Sequence, residues 1–347
     1  MPRHTTVLVG CGPRGAMHAR ALLAYPERFH VLAVCDLQPE RLVPFAAQFG
    51  IARTYTDAAA MLATERPEIL CFATLPAIRL PLVQLGVQYG VQAIAFEKPM
   101  ALSLAEAKAI HDLCTAAGIK VIVCHQLKYG AHWQKAWEIV HSGAIGAVQM
   151  LHASARPSML RVGTHLVDAM LWLNGGHHGI AVLGQAHGAV AYGEDHPCPD
   201  HLMGVIEFAN GVRGFLECGT LAPHLMAEED FWLDGAVTVY GTHGYVRAGI
   251  GCGWQAVTTA APGQLLSGPS DLTPQEPRWL QDLADWLDHP QQEHPCHGAI
   301  SYHGFELLMG LVLSSLERRQ VTIPIVSDAM APELQRLQRA LTEATNG

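Results

Sequence analysis

The sequence TTVLVGCGPRGAMHARALLA, at residues 5–24, decides the fold of the N-terminal part of the chain. Residues 7–9 form a short apolar run that predicts a strand, and the residues after Gly15 have the composition of a helix. Between them, Gly10, Gly12 and Gly15 form the pattern G-x-G-x-x-G. The first glycine permits a tight turn, the second lets the backbone approach a pyrophosphate, and the third lets the helix pack closely on the strand. The segment therefore predicts a strand–turn–helix unit that binds a dinucleotide.

Asp36 is a second indication of a dinucleotide. It ends the next predicted strand, residues 31–34, and follows Gly15 by about 20 residues, which is the spacing expected of a ribose-binding carboxylate. A carboxylate there accepts hydrogen bonds from both ribose hydroxyls and repels a 2′-phosphate, so it favours NAD over NADP. Arg14 and Arg41 favour NADP, because either guanidinium could reach a 2′-phosphate. We predict NAD, with NADP as the alternative.

Apolar runs continue to alternate with helical segments up to residue 124. Strands are predicted at residues 69–73, 93–96 and 121–124, in addition to the two already described. This alternation predicts a doubly wound parallel sheet, whose ligands bind beyond the carboxyl ends of the strands. The residues that follow the strands are therefore the candidates for a site: Gly10 to Gly15, Asp36, Thr74 to Pro76, Glu97 to Pro99, and His125 to Tyr129.

The second half of the chain has a different pattern. Alternating runs at residues 182–193 and 236–249 are separated by glycine turns and predict antiparallel hairpins, and Asn210-Gly211 is a strong hairpin signal. Residues 261–277 are rich in Pro, Gly and Ser and predict a surface loop. The length of 347 residues also favours two domains.

Composition excludes several classes of protein. The net charge is −9 and no long basic run is present, so we expect neither a nucleic-acid partner nor binding to an anionic membrane. No apolar run is long enough to span a bilayer, and the N-terminus lacks the features of a signal peptide. The nine cysteines include no C-x-x-C, which indicates reduced thiols and a cytoplasmic protein. The 20 histidines show no metal-ligand spacing, so we expect no metal.

The segment FEKPMALSLAEAK, residues 96–108, places Glu97-Lys98-Pro99 between a buried strand and a capped helix. This arrangement resembles the Gfo/Idh/MocA oxidoreductases, the family of glucose–fructose oxidoreductase and inositol dehydrogenase. The likeness runs nearly end to end, with further motifs at residues 128–152, 202–219 and 306–324. In the first of these motifs Lys128 stands where the family usually has Arg, and Ala131 where it usually has Pro.

The resemblance implies an α/β protein with an N-terminal Rossmann domain at residues 1–124. It implies an α+β substrate-binding domain at residues 125–347, with a large, open, mainly antiparallel sheet that forms homo-oligomers, either dimers or tetramers. The implied activity is NAD(P)-dependent hydride transfer between the nicotinamide and a hydroxyl-bearing carbon of a sugar, polyol or sugar derivative. One alternative is an enzyme that uses tightly bound NAD transiently for glycoside cleavage or elimination. The other is a non-catalytic, NAD-sensing regulator.

By resemblance, Lys98 is the first candidate catalytic residue. A partly desolvated Lys at a strand end beside the cofactor can have a lowered pKa and relay a proton. The alternative is an ion pair with Glu97, which we disfavour because neighbouring residues of a strand point apart. In this family the peptide bond before Pro99 is expected to be cis.

His165 is the second candidate, near the start of a helix predicted within residues 158–176. The family often has a carboxylate four residues before this His, on the same helix face, but this chain has Arg161 there. An Arg would lower the imidazole pKa and attract an anionic group of the substrate. Asp168 matches the family's H-x-x-D, and we expect it to meet the helix dipole or a nearby donor.

The predicted site therefore has three sets of residues. The catalytic set is Lys98 and His165. The cofactor-binding set is Gly10, Gly12, Pro13, Arg14, Gly15, Asp36, Thr74, Pro76, Glu97 and Lys98. The substrate-binding set is Lys98, Lys128, Tyr129, Arg156, Arg161 and His165. His125 is a weaker candidate, and Trp172 is expected to belong to the core.

Overall fold

The computed structural model describes residues 3–273, 276–326 and 332–346. The chain divides into two compact units. The first consists of Met1–Ala101, Glu106–Gln126 and Pro274–Ser301, so a late segment of the chain joins the N-terminal part. The second consists of Leu102–Ala105, Leu127–Thr273 and Tyr302–Gly347.

A six-stranded parallel sheet forms the centre of the first unit, in the order β3-β2-β1-β4-β5-β6. This order confirms the predicted doubly wound sheet. Both β4 and β5 are buried along their whole length, as expected of strands with helices on both faces. The strands are β1 (His4–Val9), β2 (Phe29–Cys35), β3 (Thr54–Tyr55), β4 (Ile69–Phe72), β5 (Ala93–Glu97) and β6 (Lys120–Cys124).

Helices connect these strands. The first begins at Pro13, earlier than the composition indicates, because proline is favourable at the first helical position. The short strand β3 was missed by sequence reasoning, since two residues carry no periodic pattern. The helices of this part of the chain are α1 (Pro13–Leu23), α2 (Pro39–Phe49), α3 (Ala58–Glu65), α4 (Arg79–Gln88) and α5 (Leu104–Ala117).

A nine-stranded sheet forms the centre of the second unit, in the order β14-β13-β12-β11-β7-β10-β9-β8-β15. Every pair is antiparallel except β7 with β10, so the predicted mainly antiparallel sheet is confirmed. The strands are β7 (Val148–Ala155), β8 (Gly179–His187), β9 (His201–Phe208), β10 (Arg213–Gly219), β11 (Gly235–Gly241), β12 (Gly244–Gly249), β13 (Gly253–Thr258), β14 (Ala261–Gly268) and β15 (Val321–Thr322).

Two predicted hairpins are present in this sheet. Asn210-Gly211 lies in the turn between β9 and β10, where Gly211 has a φ of +81°, and β11 pairs with β12. The loop predicted at residues 261–277 is wrong for residues 261–268, which form the strand β14, and for residues 276 and 277, which begin a helix; residues 274 and 275 lie outside the described residues. Within the described part of the chain this strand pairs with β13 alone, at the edge of the sheet, and edge strands tolerate small and polar residues. The run at residues 182–193 is also not a hairpin, because its second half forms a 3₁₀ turn.

The helix α9 (Gly298–Glu317) is apolar for much of its 20 residues. In contrast to the sequence expectation, it is long and apolar enough to cross a membrane, and it is the one such helix among those described. The protein buries 72% of its most apolar window, as for a core helix. Gly184 lets α9 approach β8 closely, because a Cβ there would lie 2.3 Å from Leu311 O. The helices of the later part of the chain are α6 (Ala131–His141), α7 (Thr164–Leu173), α8 (Glu276–Asp288), α9 (Gly298–Glu317) and α10 (Glu333–Asn346).

All nine cysteines are free thiols. Eight are buried and Cys252 is exposed, so most are core residues, as the sequence predicts. Burial raises the pKa of Cys11 and of Cys35 to about 12, and the nearby Asp36 charge contributes. These thiols are therefore protonated and poorly reactive at neutral pH.

Candidate active site

Each of the three glycines after β1 has a different structural role. Gly10 has a φ of +99°, and a Cβ there would lie 2.5 Å from Ala73 O. A Cβ on Gly15 would lie 1.9 Å from Gly10 O, so only glycine lets α1 pack against the turn. Gly12 precedes Pro13 as the N-cap of α1, and a Cβ there would meet nothing within 4 Å. This open space at a helix N-terminus is a cradle that fits a pyrophosphate.

Asp36 is held firmly at the end of β2. Its Oδ2 accepts a hydrogen bond from the Cys11 backbone N–H (2.8 Å), and its Oδ1 accepts one from the Gln38 backbone N–H (2.9 Å). The carboxylate is therefore fixed beside the glycine turn, where it fits the ribose hydroxyls of a dinucleotide. Together the cradle and this carboxylate match the groups that NAD requires.

The buried carboxylate of Glu97 is the centre of a cluster of polar side chains. Its Oε1 accepts from Arg14 Nη2 (2.6 Å) and Nε (3.0 Å), and it lies 2.8 Å from His18 Nε2. Burial by itself would raise the pKa of Glu97, but His18 and Arg14 outweigh it and hold that pKa far below its usual range. Glu97 is therefore a carboxylate at neutral pH. Because Glu97 binds the Arg14 guanidinium, a 2′-phosphate would have to compete for it, which weakens the argument for NADP.

Lys98 follows β5 directly, and its bond to Pro99 is cis, as the resemblance implies. Burial lowers the pKa of Lys98 to about 8, and the positive charges of Arg14 and Arg79 act in the same direction. The charge of Glu97 opposes them, as does Cys124 to a smaller extent. An amine with this pKa is present in both protonation states near neutral pH, which a proton carrier requires.

The loop after β4 holds the other predicted cofactor residues. Thr74 O accepts a hydrogen bond from Arg79 Nη2 (2.9 Å), and Pro76 begins a 3₁₀ turn, Pro76–Ile78. Sequence reasoning missed Arg79 and His18, although both are buried near the cluster. A charged residue in the otherwise apolar segment after the β4 loop is a signal that would have identified Arg79.

In the second unit, Lys128 and Asp168 form a buried ion pair. Lys128 Nζ lies 3.0 Å from Asp168 Oδ1, and both side chains are 3% exposed. The structure thus supplies the nearby donor expected for Asp168. His165 precedes Asp168 by one turn of α7 and is also buried. The helix predicted within residues 158–176 is present as α7 and is buried almost all round, so these polar residues lie inside the core of the unit.

A π-helical turn, Met159–Gly163, precedes α7 and carries Arg161. Arg161 Nη2 and Nε donate to Glu194 Oε2 (2.9 and 3.1 Å), and its Cζ lies 5.1 Å from the centre of the Trp232 ring. Sequence reasoning did not foresee this carboxylate partner, which is 33 residues away in the chain. An anionic substrate group would have to compete with Glu194 for Arg161.

Arg156 has a similar environment. Its Nη1 donates to Glu228 Oε2 (2.6 Å) and lies 3.0 Å from His224 Nε2. The hydrogen bond from Arg156 lowers the pKa of Glu228. The Phe231 ring centre lies 5.6 Å from the guanidinium carbon. Both arginines are therefore balanced by a carboxylate and covered by an aromatic ring.

The remaining candidates have mainly structural surroundings. Tyr129 is buried in a 3₁₀ turn, Gln126–Tyr129. His125 belongs to the first unit, where its carbonyl accepts from Cys296 Sγ (3.3 Å) and its Nδ1 lies 3.5 Å from Ser301 Oγ. Trp172 stacks on Trp137, with ring centres 6.2 Å apart.

Two family models match the chain. The model described as an oxidoreductase family with an NAD-binding Rossmann fold covers residues 5–125. The model described as a GFO/IDH/MocA C-terminal domain covers residues 133–247. The two matches follow the order of the parallel and the mainly antiparallel sheets in the chain.

Similar proteins agree with these models. A D-apiose dehydrogenase from Paraburkholderia graminis is 37% identical over 42% of this chain and 38% of its own length. A D-glucoside 3-dehydrogenase from Escherichia coli is 22% identical over 54% of this chain and 62% of its own. The chain spans about two fifths of the length of the curated relatives it matches first, 38% and 40%.

Solved structures share the fold across nearly the whole chain. An oxidoreductase from Agrobacterium radiobacter, solved with NAD⁺, L-tartaric acid and magnesium, has a TM-score of 0.79 at 21% identity. The likeness covers 92% of this chain and 98% of that one. This likeness shows a shared fold, while the two family models together show that the chain belongs to the Gfo/Idh/MocA family of oxidoreductases, with an NAD-binding Rossmann domain.

Proposed function

We propose that the protein is an NAD-dependent dehydrogenase that transfers a hydride from a hydroxyl-bearing carbon of a sugar or polyol. The observation that carries the proposal is the position of Lys98, which directly follows β5 next to Glu97 and whose pKa burial lowers to about 8. NAD supplies the hydride acceptor when it is bound. The residues of the chain bind the cofactor and the substrate and remove the hydroxyl proton.

In this proposal Lys98 accepts the proton from the substrate hydroxyl. Only the neutral amine can accept it, so its competent fraction rises with pH through the folded-state pKa of about 8. The glycine cradle and Asp36 hold the dinucleotide. Glu97 keeps Arg14 engaged and, by its negative charge, prevents the pKa of Lys98 from falling further.

Residues of the second unit are proposed to bind the substrate. We assign the hydroxyl contacts to His165, Lys128 and Tyr129, and His165 is the alternative to Lys98 as acceptor of the hydroxyl proton. An imidazole and an ammonium can together donate to and accept from neighbouring hydroxyls, which suits a polyhydroxylated ligand. Asp168 keeps the Lys128 charge compensated inside the core.

The substrate is proposed to be uncharged. Arg161 and Arg156 are the residues that would recognise an acidic group, but Glu194 and Glu228 already bind them. A substrate carboxylate would have to displace one of these glutamates. We therefore assign both arginines to the border of the substrate site and rank neutral sugars above uronic acids. D-apiose belongs among the neutral candidates because a D-apiose dehydrogenase is among the relatives.

Reduction of NAD⁺ by a panel of sugars tests the function. We expect NADH formation with at least one neutral sugar, inositol or glycoside, and slower turnover of the matching uronic acid. Lys98→Met is expected to lower kcat by a factor of about 100 or more, within the range of acid–base catalysis. Lys108→Met, which changes an exposed lysine of α5, is the matched control.

Two results would contradict this function. One is unchanged turnover in Lys98→Met. The other is cleavage of a glycoside with no accumulation of NADH, which would instead identify transient use of NAD.

We also propose that the protein is a cytoplasmic homo-oligomer. Nine free thiols are compatible with a reducing compartment. Exposed apolar side chains on the nine-stranded sheet support association of two or more copies through that sheet.

A further inference from the structure

Arg79 is a buried cation near Lys98. It is the first residue of α4, and only 1% of its surface is exposed. Its Nη2 donates to two carbonyl oxygens, Thr74 O at 2.9 Å and Lys98 O at 3.1 Å. The guanidinium therefore joins the loop after β4 to the residue after β5. This is the edge of a parallel sheet at which ligands bind.

The surroundings of Arg79 do not compensate its charge well. Its Nε and Nη1 are buried and make no hydrogen bond, and no carboxylate forms an ion pair with it among the described residues. Burial lowers the pKa of Arg79 to about 9, against the effect of the Glu97 charge. A well-packed apolar side chain is often no less stabilising than a buried charge. Stability of the fold therefore does not account for an arginine at this position.

The effect of Arg79 on Lys98 has two parts. The hydrogen bond to Lys98 O fixes the backbone from which the Lys98 side chain departs. The second part is electrostatic, since Arg79 and Arg14 act on Lys98 as cations, while Glu97 and Cys124 act in the opposite sense. Arg14 is in direct contact with Glu97, whereas Arg79 donates to two neutral carbonyls and its Cζ lies 6.0 Å from the centre of the Phe96 ring. The Arg79 charge is therefore compensated less completely than the Arg14 charge.

We propose that Arg79 is a positioning residue for Lys98: it ties the Lys98 carbonyl to the loop after β4 and maintains a positive charge near the Lys98 side chain. The inference rests on the proposed function, in which Lys98 moves the substrate proton. Arg79 itself touches neither the proton nor the reacting carbon in this assignment.

The first test is the pH profile of kcat/KM for sugar oxidation by the NAD-loaded protein. Arg79→Met and Arg79→Gln remove the positive charge, which raises the pKa of Lys98. We therefore expect the midpoint of the rising limb to shift to higher pH by about 0.5 unit or more. Arg79→Gln keeps an amide donor for the carbonyls and carries the test if Arg79→Met does not fold. Arg79→Lys keeps the charge and is expected to restore the limb to within about 0.2 unit of the wild type. Arg20→Met, at an exposed arginine of α1, is the control.

The second test needs no turnover. Competitive acetylation of the NAD-bound protein with acetic anhydride, read by mass spectrometry, gives the pH dependence of Lys98 labelling. The exposed Lys108 serves as an internal reference. We expect the Lys98 labelling midpoint to rise in both neutral variants and to stay near the wild-type value in Arg79→Lys.

The two tests separate failure of this inference from failure of the proposed function. A shifted labelling midpoint in a protein that oxidises no sugar supports the role of Arg79 and contradicts the function. Activity that depends on Lys98, with neither the limb nor the labelling midpoint moved by the neutral variants, overturns the role of Arg79 alone.

Discussion

At the scale of single residues, Lys128 and Asp168 form a buried ion pair in the second unit. Charged side chains are almost never buried as completely as these, at 3% exposure each, unless they are paired. Their mutual attraction offsets the hydration that both lose. Loss of one partner removes this attraction while the other charge stays buried. The two residues are therefore coupled, and a substitution at one acts through the other.

Asp168→Leu is expected to lower the free energy of unfolding by about 3–5 kcal/mol, because the Lys128 charge stays buried after it loses the Asp168 carboxylate. The double variant Lys128→Met/Asp168→Leu should recover most of this loss. Urea unfolding followed by tryptophan fluorescence measures both. Asp112→Asn, which breaks the exposed Lys108–Asp112 pair, is the control and should cost less than about 1 kcal/mol. A double variant as unstable as Asp168→Leu would argue against the coupling.

At the scale of elements, the turn between β1 and α1 separates glycines needed for folding from a glycine needed for binding. Gly15 has no room for a Cβ, since Gly10 O would lie 1.9 Å away, whereas Gly12 has open space. Sequence alone treats the three glycines as one motif. The structure assigns to Gly15 the contact between helix and turn, and leaves Gly12 as the position where a ligand can approach the backbone.

Gly12→Ala is expected to fold with nearly unchanged stability and to weaken NAD binding by about tenfold or more, which corresponds to about 1.4 kcal/mol. Gly15→Ala is expected to lower the free energy of unfolding by about 1–3 kcal/mol, the usual cost of overpacking. Thermal unfolding and titration of NAD by protein fluorescence distinguish the two effects. If Gly12→Ala bound NAD as tightly as the wild type, the cradle would not be the pyrophosphate site.

At the scale of the whole molecule, the nine-stranded sheet has apolar side chains exposed on three neighbouring strands. Leu183, Met203 and Phe215 are 53%, 47% and 39% exposed. Val205 is paired in register with Leu183 on one side and Phe215 on the other, so the patch is continuous across β8, β9 and β10. Contiguous apolar patches of this kind often mark protein–protein interfaces.

Phe215→Asp is expected to weaken self-association by about 2 kcal/mol or more, roughly 30-fold in Kd, because it places a charge within the patch. Sedimentation equilibrium of the wild type and the variant measures this change. Leu221→Asp, at an exposed leucine outside the strands, is the control. A wild type that is monomeric at high concentration, or a variant that associates equally well, would exclude this face as the interface.

Much of the fold could be read from local patterns in the chain. The parallel sheet, the glycine turn, Asp36 and the hairpin at Asn210-Gly211 all depend on residues close in sequence, and all were predicted. The two strands that sequence reasoning missed also have a local explanation. The strand β3 is too short for a periodic pattern, and β14 is an edge strand whose exposed residues have the composition of a loop.

The partners of the charged side chains could be identified only from the tertiary structure, because they are distant in the sequence. Arg14 meets Glu97 across 83 residues, and Arg161 meets Glu194 across 33. The strand order brings β4 and β5 together, so that Arg79 can reach the carbonyls of Thr74 and Lys98. Burial, which lowers the pKa of Lys98, is likewise a property of the packed protein. Sequence spacing can therefore identify the residue types of the site, but their charges and pKa values depend on neighbours that only folding brings together.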